Sequence, residues 1–362
     1  MSLVPPYIDR LTPYVPGKPI EELERELGIS GAIKLASNEN PVGPSPKVLA
    51  RIAEVAPTIH RYPDASAFRL RRRLSELHGV PMEHIAVGNG SNELIDLICR
   101  TFAGPEDHAV IGVPSFVCYP LSLTAANVPF TAVPLRDHTH WNADDLLAAV
   151  TPKTKLLFLA NPNNPTGTYL PAADLERLLR ALPPHVIPVL DEAYVEFVDG
   201  TDYASALGMR SLHANLIILR TFSKAYALAA LRVGYAIAPP LVVDYLNRVR
   251  APFNVGTLGQ EAALAALDDR AHVDAYLALN RIERASIEKG FAALELPFAP
   301  SSTNFVFVNV GRPGNDVYTA LLHRGVIVRP MPAPVGQWLR VSVGQREENA
   351  RMLTCLNEVL KG

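Results

Sequence analysis

Apolar-rich runs of strand length recur at 84–87, 109–113, 128–133, 155–160, 186–190, 216–219 and 233–238, each closed by polar or turn-forming residues. Between several of them the apolar positions switch to helical spacing, at 94–102, 144–150 and 172–181, and helical patterns also cover 48–55 and 68–77. Repeated strand-then-helix units predict a mostly parallel sheet with helices on both faces, and such sheets collect ligands at the carboxyl ends of their strands. After residue 240 the rhythm changes. Helical patterns at 242–249, 258–267 and 273–294 lead to strands at 304–310, 326–330 and 338–344, with helices at 317–322 and 347–360. That mixture predicts a smaller α+β domain. The division expected is an arm at 1–40, a large domain at 41–250 and a small domain at 251–362, completed by the N-terminal segment. Prolines at 5, 6, 13, 16 and 19 make the arm read as irregular chain laid over the body.

With 362 residues, 48% of them hydrophobic and 19% charged, the chain can build a large core. A formal net charge of −2 without a basic run argues against nucleic acid and anionic membranes as partners. Cys99, Cys118 and Cys355 are too few and too scattered for a disulfide framework or a zinc site. The first residues lack a signal-peptide pattern, and no apolar run approaches the roughly 18 residues of a membrane span. A reduced, cytoplasmic enzyme is the expectation.

The candidate chemistry sits at strand ends. The run at 216–219 leads into Arg220-Thr221-Phe222-Ser223-Lys224, with Arg232 eight residues beyond the lysine. A lysine just past a buried strand is partly desolvated, which lowers its pKa and makes the amine nucleophilic. Thr221, Ser223 and Arg232 suit a phosphate, so the segment reads as a Schiff-base lysine beside the phosphate of pyridoxal phosphate, against the plainer reading of a solvated charge. The turn Gly88-Asn89-Gly90-Ser91-Asn92 opens a helix, and reads as an anion site or as ordinary N-capping. Asn161-Pro162-Asn163-Asn164-Pro165-Thr166-Gly167 forces a tight, amide-rich turn. Asp191, in Asp191-Glu192-Ala193-Tyr194, reads equally as a metal ligand, a cofactor partner or a helix cap.

Taken in order, Gly90-Ser91-Asn92, Phe116, Asn164-Pro165-Thr166-Gly167, Asp191-Glu192-Ala193-Tyr194, Ser223-Lys224, Arg232 and Arg340 resemble the fold-type I pyridoxal-phosphate-dependent aminotransferases. Within them the chain looks most like the histidinol-phosphate aminotransferase branch of the class II (subgroup I) enzymes, from about residue 33 to 360. The resemblance implies pyridoxal 5′-phosphate as cofactor, Lys224 as its Schiff-base residue, Asp191 at the pyridine nitrogen, and Asn164 and Tyr194 at the ring's 3-oxygen. It places Phe116 on the ring face, and Gly90, Ser91, Asn92, Thr221, Ser223 and Arg232 about the phosphate. It also implies a homodimer with shared sites, in which Tyr62 reaches the cofactor phosphate of the other subunit. Arg340 matches the family's carboxylate-binding arginine, and Tyr14, Asn38, Glu39 and Arg329 are further substrate candidates. No metal is implied.

The activity implied is transamination between L-histidinol phosphate and 2-oxoglutarate. An aromatic amino acid aminotransferase, a phospho-amino-acid decarboxylase and a non-catalytic pyridoxal-phosphate module are the alternatives. Ala227 and Ala230 depart from the family, which often has glycine at both positions. A β-carbon disfavours left-handed backbone and close approach of a second chain. The expectation is therefore a right-handed loop here, or a differently shaped pocket.

Overall fold

The computed structural model describes residues 3–362. Its centre is a seven-stranded sheet of β1 (Ile85–Asn89), β2 (His108–Val113), β3 (Phe130–Pro134), β4 (Thr154–Ala160), β5 (Ile187–Asp191), β6 (Ile217–Thr221) and β7 (Val233–Ile237), in the spatial order β1-β7-β6-β5-β4-β2-β3. All neighbouring pairs are parallel except those made by β7, which runs against β1 and β6. Alternate residues along each strand feed two cores. In β4, Leu157 and Leu159 enter one core, while Leu156, Phe158 and Ala160 enter the other. A strand buried on both faces needs an unbroken apolar run, which is why these segments stand out in the sequence.

Helices Phe68–His78, Ala143–Ala148 and Ala172–Ala181 cover the first face. Gly90–Phe102, Cys118–Ala125 and Pro240–Val249 cover the second. The helix Cys118–Ala125 falls where no element was expected.

A second sheet, entirely antiparallel, consists of β8 (Phe298–Ala299), β9 (Phe305–Asn309), β10 (Arg329–Pro330) and β11 (Trp338–Ser342), in the order β10-β11-β9-β8. The single strand expected at 326–330 is instead two. Val326–Ile327 pairs in parallel with Ile33–Lys34 of the N-terminal segment, and Arg329–Pro330 pairs with β11. The arm also departs from the irregular chain expected. It contains a short helix Pro6–Asp9 and an eight-residue helix Ile20–Leu27, which starts after Pro19, buries Leu23 and stops at Gly28 in the left-handed conformation.

The helix Thr257–Leu267 lies on the large-sheet side, for Ala262, Ala263 and Ala266 share a core with Val48 and Leu70. The next helix, Arg270–Ala293, delivers Ile287 and Phe291 to the core of the second sheet. We therefore place the division between the two bodies within Arg270–Ala293 rather than at residue 250.

Candidate active site

Strand register brings the chemistry together. Asp191 ends β5 opposite Ala160 and Leu219, Thr221 ends β6 opposite Gly234, and Val233 at the start of β7 lies opposite Asn89. The carboxyl ends of β1, β4, β5 and β6 and the amino end of β7 thus share one edge. A cavity of about 280 Å³ opens there. It is lined by Tyr14, Asn38, Glu39, Ser91, Asn92, Phe116, Asn164, Asp191, Tyr194, Thr221, Ser223, Lys224, Arg232 and Arg340. Three residues named from the sequence lie outside this lining. Gly90 sits beneath Arg232, Arg329 lies behind Tyr14 with its Nη1 donating to the Val15 carbonyl at 2.8 Å, and Tyr62 is 82% exposed and stacked on Phe253 at 4.6 Å.

At one end of the cavity, the first turn of Gly90–Phe102 presents Ser91 and Asn92. Gly90 has φ +75°, and a β-carbon there would collide with the Arg232 guanidinium, so glycine is what lets the arginine lie over the helix start. Arg232 Nη1 donates to the Ala229 carbonyl at 2.9 Å and to Ser223 Oγ at 3.4 Å, and Thr221 Oγ1 donates to Ser223 Oγ at 3.0 Å. An arginine, hydroxyls and free helical N–H groups around one space form an anion site.

Lys224 stands in the middle. Its Nζ lies 3.4 Å from the carbonyls of Ser37 and Asn38 and 5.8 Å from the Tyr194 ring centroid. Burial, reinforced by the positive charge of Arg340, lowers its pKa to about 8. Burial pushes the Asp191 carboxyl up to about 6, despite donation to it from Tyr119 and the Ala193 N–H. Burial also pushes the Tyr194 phenol up to about 12.

The amide-rich turn divides its labour. Asn161 is hydrogen-bonded to Leu170, and Asn163 accepts a hydrogen bond from Ser115 and donates to the Pro114 carbonyl and Thr166 Oγ1. Of the turn's three asparagines, Asn164 lines the cavity, where its Oδ1 accepts from Arg340 Nη1 at 2.7 Å. Arg340 Nη2 donates to the Ala36 carbonyl, while its buried Nε has no hydrogen-bond partner among the described residues.

Tyr119 was not anticipated. It is fully buried, its hydroxyl donates to Asp191 Oδ2 at 2.8 Å, and its ring packs edge-on to Phe116. No signal in the sequence marked it, since Phe116 precedes a helix that was itself not expected, and Asp191 lies 72 positions away in the chain. Behind Asp191, Arg220 Nη2 and Glu192 Oε2 form a buried ion pair at 2.6 Å, bridged by Ser205. Ala227 takes φ +58°, so this alanine occupies the left-handed conformation it was expected to avoid. Ala230 is exposed, and Ala229 lines the cavity instead.

Comparison with known proteins agrees with this architecture. The family profile for aminotransferase class I and II matches residues 30–356. A histidinol-phosphate aminotransferase of Anaeromyxobacter sp. (strain Fw109-5) is 47% identical over 99% of this chain and 100% of its own length. Histidinol-phosphate aminotransferase 2 of Pseudomonas aeruginosa is 46% identical over 99% and 98%. Among solved structures, histidinol-phosphate aminotransferase from Sinorhizobium meliloti in complex with pyridoxal-5′-phosphate superposes with TM-score 0.91 at 30% identity, covering 100% of this chain and 98% of that one. Threonine-O-3-phosphate decarboxylase from Porphyromonas gingivalis, at 21% identity and TM-score 0.79 over 91% of this chain and 99% of that one, shares the fold alone. The chain belongs to the class I and II aminotransferases.

Proposed function

We propose that the chain exchanges an amino group between L-histidinol phosphate and 2-oxoglutarate in histidine biosynthesis, with pyridoxal 5′-phosphate as cofactor. The observation that carries this reading is a lysine amine of lowered pKa set between two anion-binding groups in one cavity. One group is Ser91, Asn92, Thr221, Ser223 and Arg232. The other is Arg340 with its unpartnered Nε. Two such places suit a phosphorylated cofactor and an anionic substrate. The names of relatives 46% and 47% identical to this chain support the same substrate.

In this reading the first anion group holds the cofactor phosphate, and Gly90 leaves room for Arg232 over it. Asp191 pairs with the pyridine nitrogen, Asn164 and Tyr194 face the 3-oxygen, and Phe116 covers a ring face. Asp191 has reason to pair: a buried carboxylate with a raised pKa is relieved by a nearby positive charge. When bound, the cofactor supplies an electron sink for the carbon that loses its proton. Lys224 serves as nucleophile and then moves a proton at Nζ, for which a pKa near 8 is well matched. Arg340 receives the carboxylate of 2-oxoglutarate or the phosphate of the amino donor. Tyr14, Asn38 and Glu39 line the same wall, and Arg329 packs over the Tyr14 ring outside the lining. A homodimer completes the site, with exposed Tyr62 extending to the partner's cofactor phosphate.

The test is a panel of L-histidinol phosphate, phenylalanine and threonine phosphate with 2-oxoglutarate, read as kcat/KM. Histidinol phosphate is expected to lead. A higher value for phenylalanine, or release of CO₂ from threonine phosphate, would overturn the substrate assignment.

A further inference from the structure

Asn38, buried to 1% exposure, connects the arm to four other segments, Lys224 at its carbonyl among them. Its main-chain N–H donates to Ser342 Oγ at 2.8 Å, and its side-chain Oδ1 accepts from the same hydroxyl at 2.9 Å. Its Nδ2 donates to Tyr194 Oη at 2.9 Å, and its carbonyl accepts from Asn304 Nδ2 at 3.0 Å. The φ of +54° at Asn38, which asparagine tolerates better than most residues, turns the side chain into this position.

A serine hydroxyl has one proton. Because Ser342 Oγ already accepts from the Asn38 N–H, that proton is free to go to Oδ1. Oδ1 is thereby assigned as the acceptor, and Nδ2 is left facing the phenol as a donor. Tyr194 also has one proton, and its oxygen is engaged as an acceptor from Nδ2. No described residue accepts a hydrogen bond from it, so its proton is directed into the cavity that Tyr194 lines. Ser342 is 3% exposed, so its hydroxyl meets Asn38 away from solvent, whereas the Tyr194 proton is the one left open to a ligand in the cavity.

We propose that Ser342 is a positioning residue for Tyr194: through the Asn38 carboxamide it aims the phenol proton into the cavity. This rests on the reading that Tyr194 faces the cofactor's 3-oxygen. Without the Ser342 hydroxyl, the carboxamide is free to turn over. Tyr194 then donates to Oδ1, and the cavity loses its donor. The titratable groups about the phenol are Arg340, Asp191, Lys224, Tyr14, Tyr119 and Tyr276, and the substitution alters none of them.

The experiment is a pH titration of the visible absorbance of protein loaded with pyridoxal phosphate. A donor at the 3-oxygen lowers the midpoint, so Ser342→Ala is expected to raise it by about one pH unit, the scale of one hydrogen bond to a charged group. Ser342→Thr restores the wild-type midpoint. Tyr194→Phe raises it at least as far, and adding Ser342→Ala to Tyr194→Phe changes nothing more. Asn38→Asp, which replaces the Nδ2 donor by an acceptor at constant shape, reproduces the shift should Ser342→Ala fold poorly, and the same substitution in the Tyr194→Phe background subtracts the effect of its added negative charge. An unchanged midpoint in Ser342→Ala and Asn38→Asp, with Tyr194→Phe shifted, overturns the proposal. So does an equal Ser342→Ala shift in the Tyr194→Phe background. An unchanged midpoint in Tyr194→Phe itself instead removes the underlying placement of Tyr194, and the proposal falls with it.

Discussion

Ala227 lies three positions after Lys224 in left-handed backbone, where a β-carbon crowds its own carbonyl at a cost of about 1–2 kcal/mol. The turn persists because it is over-determined: the Ala227 N–H donates to the Lys224 carbonyl and the Leu228 N–H to the Phe222 carbonyl. Ala227→Gly relieves that conformation but enlarges the unfolded ensemble, so a net gain of about 0.5–1 kcal/mol is expected in denaturant unfolding. Asp191 has the opposite character. Burial raises its carboxyl from 3.8 to about 6, so between those values the folded chain binds a proton the unfolded chain has released. Stability therefore falls as pH rises through that window, and above it the buried charge costs on the order of 2–3 kcal/mol. Asp191→Asn is expected to raise the Tm of the cofactor-free protein at pH 7.5, with the gain fading toward pH 4. The Tm increment on adding pyridoxal phosphate shrinks in the same variant, because the buried carboxylate that the pyridine nitrogen would neutralise is gone. A cofactor increment equal to that of the wild type would exclude Asp191 as the partner of the pyridine nitrogen.

At the scale of elements, the ends of β5 and β6 are clamped by Arg220 and Glu192, each adjacent to a cavity residue, Thr221 and Asp191. Glu192→Gln keeps the shape and leaves a buried guanidinium without its counter-charge, for an expected loss of about 3 kcal/mol of stability by denaturant unfolding. Which elements were legible in the sequence follows from similar local physics. Strands buried on both faces announce themselves as unbroken apolar runs, so β4, β5 and β6 were readable to within a residue or two. The helix Cys118–Ala125 was not, because its apolar residues are spread around its circumference and Pro120 in its first turn reads as a helix breaker. The arm helix Ile20–Leu27 was hidden by the surrounding prolines, although Pro19 serves to start it. The run at 326–330 gave no hint of its division, since which neighbour each half pairs with is a tertiary matter. Within the site, Lys224 and Asp191 were readable as strand-end chemistry. The roles of Tyr119 and Ser342 were not, because their hydrogen bonds join residues 72 and 304 positions apart in the chain.

At the scale of the molecule, the two bodies and the arm meet at the cavity. Arg340 and Ser342 of β11 reach the arm at Ala36 and Asn38, and the arm touches Lys224 and Tyr194 of the large-sheet body. Tyr62 belongs to none of this. It stacks on Phe253 with 82% of its surface exposed, close in sequence to Ile59 at 63%, and such exposed apolar groups favour burial against another surface. If that surface is a second copy, each site takes Lys224 from one protomer and Tyr62 from the other. Two defective chains then complement one another. Lys224→Ala removes the nucleophile, and Tyr62→Ala removes the contribution across the interface. A mixed dimer of the two has one site lacking both residues and one site lacking neither. Random reassortment of equal amounts is expected to restore about a quarter of the wild-type specific activity, since half the dimers are mixed and each has one intact site. Lys224→Ala alone is expected to show no measurable turnover, and Tyr62→Ala alone chiefly a weaker hold on pyridoxal phosphate. The measurement is transaminase rate at limiting cofactor, after the two variants are co-refolded or co-expressed. Activity no greater than the sum of the separate variants would show that Tyr62 does not serve a partner's site, and the exposed Tyr62–Phe253 stack would then need another occupant.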